Sequence, residues 1–194
     1  ARAILDPSNP LGIDKDAVLG NMAAHLDVDR GYETAVEAVL RSWLDAVLVK
    51  DADSAVRIIR KLESAKAGPA RIIAAGASSG VRSAGASALA SHVKCADNVA
   101  PAIQALIGNV TVTDRFEDIP SPVPAGAAYV TKTGALIRGN GCMEYWTSDA
   151  ASANPVSRKH VLTEAKKSLS EMERESAGAS AAVRAITQEI DAIE

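Results

Sequence analysis

Hydrophobic and polar positions follow two different rhythms along this chain. Up to about Trp146 the apolar residues come in short runs punctuated by Gly, Pro, Ser and Asp. Beyond it, apolar or small residues recur at alternating steps of three and four: Leu162, Ala165, Leu169, Met172, Ser176, Ala179, Val183, Ile186, Ile190 and Ile193. That alternation predicts the seam of a coiled coil, with Leu162 at an a position and Ala165 at d. Asn154-Pro155 supplies a start, because Asn caps orphan amides and Pro is preorganised for a first helical turn. A helix from Pro155 to Glu194 would reach roughly 60 Å at about 1.5 Å per residue. The expectation is a body carrying a coiled-coil stump (151–194) whose partner segment is missing. The alternative is an amphipathic helix packed on its own body. Ser176-Ala177-Gly178-Ala179-Ser180 could mark a break in it, and the sparse charge at e and g does not specify a homodimeric zipper.

Within the body, one pattern occurs twice. Ala35–Leu40 is followed by Val47-Leu48-Val49-Lys50-Asp51, and Ala102–Ile107 is followed by Val110-Thr111-Val112-Thr113-Asp114. Each reads as a helix, a short loop, a strand, and an Asp placed to cap the next helix. Two related lobes follow from the repeat. The first, 16–76, is predicted to hold a strand near His25–Val28, a helix at Tyr32–Ser42, a strand at Ala46–Lys50, a helix at Asp53–Ser64 and a strand at Arg71–Ala75. The second, 88–150, is predicted to hold a helix at Val99–Ile107, a strand at Asn109–Thr113 and a hairpin of Ala128–Thr131 with Ala135–Arg138. Gly134 suits the left-handed position of its turn. Residues 77–87 have the Gly, Ser and Ala content of a flexible connector that carries no nucleotide. Pro120-Ser-Pro-Val-Pro124 is a stiffer loop, and 1–15 is read as a coil-proximal segment.

Composition narrows the function classes. Aromatic residues are 3% of the chain, so the core must be aliphatic. The formal net charge of −3 argues against a strongly basic nucleic-acid protein, though not against a local basic patch. Cys95 and Cys142 fit no zinc spacing and are too few for a disulfide scaffold, which points to reduced thiols in the cytoplasm. No membrane-length apolar run and no signal peptide is seen. The Ala1-Arg2 start fits a fragment of a longer protein.

The chemistry is thin. Ile72-Ile73-Ala74-Ala75-Gly76-Ala77-Ser78-Ser79-Gly80 resembles the nucleotide loop of short-chain dehydrogenases. However, a poor helix start follows it, and no Tyr is followed by Lys four residues later. No phosphate loop of the Gly-x-x-x-x-Gly-Lys-Ser/Thr type is present, so this chain alone should not hydrolyse ATP. His25, His92 and His160 lie far apart with no ligand spacing, and no Gly-x-Ser-x-Gly elbow occurs. The expectation is no catalytic residues, no metal and no cofactor.

Three stretches carry a family resemblance. They are Asp27–Leu40 with Leu44–Val49; Leu106-Ile107-Gly108 with Val110–Asp114; and Val130-Thr131-Lys132-Thr133-Gly134 with Gly139 and Gly141. Together they resemble the hinge domain of SMC proteins, the chromosome-organising ATPases. The resemblance implies an α+β, two-lobed hinge followed by a long coiled-coil helix. It implies a dimerisation module rather than an enzyme, with lobe one of one chain meeting lobe two of the other twice in a two-fold ring. A homodimer is expected, a paralogous heterodimer being the other form, near the chromosome or nucleoid, with ATPase heads at the far ends of the arms.

By that resemblance the interface residues are Gly134, Gly139, Gly141, Val130 and Leu136. The hairpin would offer an exposed edge, and the glycines a close backbone approach. The coil (Leu162, Leu169, Met172, Val183, Ile186, Ile190) would take an antiparallel partner helix. Arg158, Lys159, Lys166 and Lys167 at its root are candidates for weak DNA contact, the alternative being an ordinary solvated face. Many family members carry a glycine pair where this chain has Tyr145-Trp146. These two could instead cover the core where the coil leaves the body. Two other functions remain open: a dehydrogenase-like nucleotide binder, and an adaptor that dimerises through the coil alone.

Overall fold

A computed structural model of the protein describes residues 2–76, 87–147 and 155–191, and within the last segment the side chains of Val156 and of residues 161–184. The described residues hold five α-helices: α1 (Arg2–Leu5), α2 (Glu33–Leu40), α3 (Ala52–Ser64), α4 (Ala100–Ile107) and α5 (Pro155–Asp191). The nine strands are β1 (Val18–Asn21), β2 (Asp27–Val28), β3 (Val47–Val49), β4 (Ile72–Ala74), β5 (Val93–Lys94), β6 (Val110–Thr113), β7 (Ala128–Thr131), β8 (Ala135–Arg138) and β9 (Met143–Tyr145). They form a sheet of order β1-β3-β4, a two-stranded pair β2-β5, and a sheet of order β6-β7-β8-β9.

The run Val47-Leu48-Val49 is wholly apolar because its strand is covered on both faces. Leu48 points into the main core, whereas Val47 and Val49 join a second cluster with Ile4, Ile13, Ile58 and Leu62 under α3. α3 is amphipathic, with Ser54, Ile58 and Leu62 buried along one stripe, and the Asp51 carboxylate caps it by accepting from the Ser54 N–H at 2.7 Å. α2 behaves differently. Every residue from Ala35 to Leu40 is buried, Glu37 included, the mark of a helix enclosed by structure. It packs on β7 and β8, on α4, and on α5.

The repeat extends further than the sequence pattern indicates. Before α2 runs a 3₁₀ turn (Met22–His25) and then β2; before α4 runs a 3₁₀ turn (Leu89–His92) and then β5. β2 and β5 pair antiparallel with each other, Asp27 opposite Lys94 and Val28 opposite Val93. Equivalent strands pairing antiparallel is what a two-fold relation between repeats produces. In both repeats the sheet then gains a parallel neighbour, β4 beside β3 and β7 beside β6.

Several expectations are corrected. The segment near His25–Val28 is a 3₁₀ turn capped by the Asn21 side chain, which accepts from the Ala23 N–H at 2.9 Å, followed by only two strand residues. β1 was not expected; it contains Gly20 at φ 118° and a register shift, which breaks the alternation. Asp114 caps no helix. It pairs with Lys132 at 2.8 Å, because Pro120, Pro122 and Pro124 forbid a helical crossover between β6 and β7. The hairpin of β7 and β8 falls where expected, with Gly134 at φ 94° in its turn. The connector at 77–86 lies outside the described residues. Ser87, assigned to it, is instead held at β6, where its carbonyl accepts from the Val112 N–H at 2.7 Å.

The main core runs through both repeats, from Met22 and Leu26 to Val130, Leu136 and Val156. Leu40→Ala should therefore cost about 2–5 kcal/mol, and Trp43 fluorescence and far-UV circular dichroism should report one coincident unfolding transition. Two separated transitions would show that the repeats unfold independently.

Candidate dimerisation surface and coil root

The four-stranded sheet has two unlike faces, set by side-chain alternation. Val110, Val112, Ala128, Val130 and Leu136 belong to the core face. On the other face Ala135 lies opposite Tyr145 and Ile137 opposite Met143. There Phe116, Ile137, Met143 and Tyr145 line a groove of about 470 Å³, with Asp114, Thr131 and Thr133 at its polar end. Met143 is 71% exposed and Tyr145 70%. Among the described residues β9 has no neighbour beyond β8, whereas β6 at the other end is bridged at Thr111 by Ala88, so β9 is the more open edge of this sheet.

This geometry rearranges the residues expected at the interface. Val130 and Leu136 are 0% and 1% exposed inside the chain's own core, so neither side chain is free for a partner. The hairpin's second strand is covered by β9, which was not expected because three residues, Met143-Glu144-Tyr145, are too few to show a period. The close approaches at two of the glycines lie within the chain. A Cβ on Gly139 would collide with the Pro124 carbonyl, and one on Gly134 with the Trp146 carbonyl. Gly141, at φ 85°, has open space where a Cβ would stand. The residues that sequence reasoning passed over are Phe116 and Met143, isolated apolar positions with no periodic neighbours.

The aromatic pair at the end of β9 divides its orientation. Tyr145 faces solvent, while Trp146 packs on the core and lies under the Arg41 guanidinium, 4.0 Å from the ring centroid. Past it, α5 is seated on the Met22–His25 turn and on α2, with Val156 buried at its root. Of the expected seam, Leu162, Leu169, Met172 and Val183 are exposed, and the Ile186 and Ile190 side chains lie outside the described residues. A helix that presents a seam to water is a coiled-coil strand without its partner. Lys166 and Lys167 are exposed, and the Arg158 and Lys159 side chains lie outside the described residues.

A charged and aromatic cluster spans the join between the repeats. The Asp29 N–H donates to the His92 carbonyl at 2.9 Å, and the Tyr32 and His92 rings stack at 3.6 Å. Lys94 Nζ donates to Asp29 at 3.3 Å, and Lys132 stands 5.1 Å over Tyr32 while bonding Asp114. The hydrogen bond and charge of Lys94, with His92 adding to them, hold the Asp29 carboxyl below the usual carboxylate range against the opposing effect of burial. Among the described residues no group of three or more His, Cys, Asp or Glu could hold a metal ion, and no helix is long and apolar enough to cross a membrane.

The sequence matches the family model for the flexible hinge domain of SMC proteins over residues 15–118. That is more than half of the chain, and the chain belongs to this family. The fold agrees. The structure is similar to an asymmetric dimer of the Geobacillus stearothermophilus SMC hinge domain (TM-score 0.70, 19% identity, covering 81% of this chain and 69% of that one). It is also similar to the Pyrococcus furiosus SMC hinge domain (0.62, 20%, covering 72% and 76%), and to the P. furiosus hinge with an extended coiled coil (0.63, 19%, covering 84% and 63%). A comparison with curated proteins finds no match. The α+β architecture with its long C-terminal helix is thus that of an SMC hinge and its coiled-coil stump.

Because the Asp29 value is lowered on folding, its contribution to stability is present above the unfolded value of about 4 and is lost as pH falls through the lowered one. Asp29→Asn should therefore lower the melting temperature at pH 7, and the two proteins should converge as pH falls below the lowered value. An unchanged difference across that range would remove Asp29 from the join. Gly139→Leu should lower the melting temperature of a monomeric variant as well, since its clash is internal.

Proposed function

We propose that the chain is the dimerisation module of an SMC protein, joining two copies through their bodies rather than through α5. The observation that carries this reading is the open β9 edge, which bears Met143 and Tyr145 beside an apolar groove. Unpaired edges bind strands of another chain readily, and aromatic and Met side chains anchor such contacts. The first sheet also ends on strands without an outer neighbour among the described residues, β1 and β4. An edge contact between β9 and the first sheet of a second copy, made twice, closes a two-fold ring. Two linked contacts reinforce each other, so that both seldom open together. The G. stearothermophilus neighbour was itself solved as a dimer. This chain has no catalytic role in the proposal. The parent protein would carry ATPase heads at the ends of its arms and act at the chromosome. A paralogous chain could replace the second copy.

The exposed seam of α5 would take an antiparallel helix from elsewhere in the parent protein. Exposed Lys166 and Lys167 support a weak DNA contact at the coil root, joined by Arg158 and Lys159. Four phosphate contacts give a log–log salt slope of only about −3 to −4.

Light scattering on the intact chain should give a dimer that survives deletion of 161–194, which leaves the buried Val156 in place. Met143→Glu with Tyr145→Glu should give folded monomers, each change costing on the order of 1–2 kcal/mol at an interface centre and together weakening association about 30- to 1,000-fold. A dimer lost on coil deletion but kept by the double variant would favour the coil adaptor. Tight NAD binding would favour the dehydrogenase reading. DNA anisotropy at ~50 mM salt should weaken on Lys166→Glu/Lys167→Glu, and equal affinity of the two proteins would remove the DNA contact.

A further inference from the structure

We propose that Trp146 pins the end of β9 to α2, the helix that also carries the root of α5, so that the docking of a second copy on β9 and the direction in which α5 leaves the body are coupled. The coupling half of this rests on the dimer reading; the pin does not. Trp146 directly follows Tyr145, the last residue of β9. The outward residue of the pair thus sits on the docking edge, while its neighbour reaches into the shared core.

Three contacts fix Trp146. Its backbone N–H donates to the Gly134 carbonyl at 2.9 Å, which ties it to the β7–β8 turn. A Cβ on Gly134 would collide with the Trp146 carbonyl and stand 3.1 Å from Thr34 Cγ2 on α2, so the turn, α2 and the departing chain meet without slack. The third contact is Arg41, which follows the last residue of α2 and lays its guanidinium over the indole. Ten residues further on, Val156 is buried in the same core, and α5 rests on α2 and on the Met22–His25 turn. The docking edge and the helix root are therefore both seated on α2, one through Trp146 and Arg41, the other through Val156. Any shift of β9 on binding a partner moves the platform of α5, and by reciprocity a bias on α5 alters the affinity of β9.

The test is an electron–electron distance measurement on the intact 194-residue chain in a Cys95→Ala, Cys142→Ser background. Spin labels would be placed at Glu63→Cys on α3 and Glu171→Cys on α5. Labelled chains diluted into unlabelled protein report only the distance within one chain. One narrow distribution is expected for the parent, retained in Trp146→Phe and lost in Trp146→Ala; Arg41→Gln should broaden it from the other side, which serves if Trp146→Ala does not fold. Met143→Glu with Tyr145→Glu, confirmed monomeric by light scattering, should shift the centre of the distribution, and Trp146→Ala should abolish that shift. Distributions as narrow in Trp146→Ala as in Trp146→Phe, or in Arg41→Gln as in the parent where Trp146→Ala does not fold, overturn the pin. An unshifted distribution in that double-variant monomer overturns the coupling. Should the parent prove monomeric, the dimer reading falls, the coupling falls with it, and the same comparison of Trp146 variants still decides the pin.

Discussion

The burial of α2 is the constraint on which the rest of the molecule depends. Eight residues long, it would be a marginal helix in water, and it persists because its whole circumference is in contact with protein. Sheet residues of the second repeat lie along it, α4 crosses it, and the root of α5 rests on it. A hinge body of this size could have been two small cores joined by a linker. Enclosing one helix between the repeats instead gives a single main core, and stability grows with the surface a common core removes from water.

The repeats are alike in plan and unlike in one element. In the first, α3 carries the chain from β3 to the parallel strand β4 and covers a second apolar cluster. In the second, the crossover from β6 to β7 has no α-helix, only a 3₁₀ turn (Phe116–Asp118) and a loop containing three prolines. A loop cannot cover a sheet face as a helix does, because its backbone polar groups need water. That face of the second sheet is consequently left as a groove, and Phe116, at the crossover, is half-exposed beside it. The absence of a helix is what creates the candidate surface.

Much of this was legible from residue order, and the failures have physical causes. α3 and the β7–β8 hairpin were readable because each combines a pattern with a punctuating residue, Asp51 or Gly134, and β3 was readable as an apolar run. α5 was readable from its seam. β2 was anticipated only as the end of a longer strand, and β5 and β9 were not anticipated, since two or three residues cannot display alternation; they exist because neighbours supply the hydrogen bonds. The glycines after the hairpin were read as room for a partner's backbone, and residue order alone does not separate that from close packing within the chain. At Gly134 and Gly139 the approaching backbone belongs to the same chain. Met22-Ala23-Ala24-His25 and Leu89-Ala90-Ser91-His92 are a legible echo between the repeats, and they mark the two 3₁₀ turns ahead of β2 and β5.

Among its described side chains, α5 is held at its root. Val156 is buried, whereas every residue from 161 to 184 is exposed, so over that stretch the helix is a cantilever with its fulcrum in the first turn. Thirty-seven residues make a beam of roughly 55 Å at 1.5 Å per residue. A rotation of about 10° at the root therefore displaces the tip by about 10 Å. A change too small to alter the packing of the body becomes, at the far end of the beam, a distance comparable to the diameter of a helix.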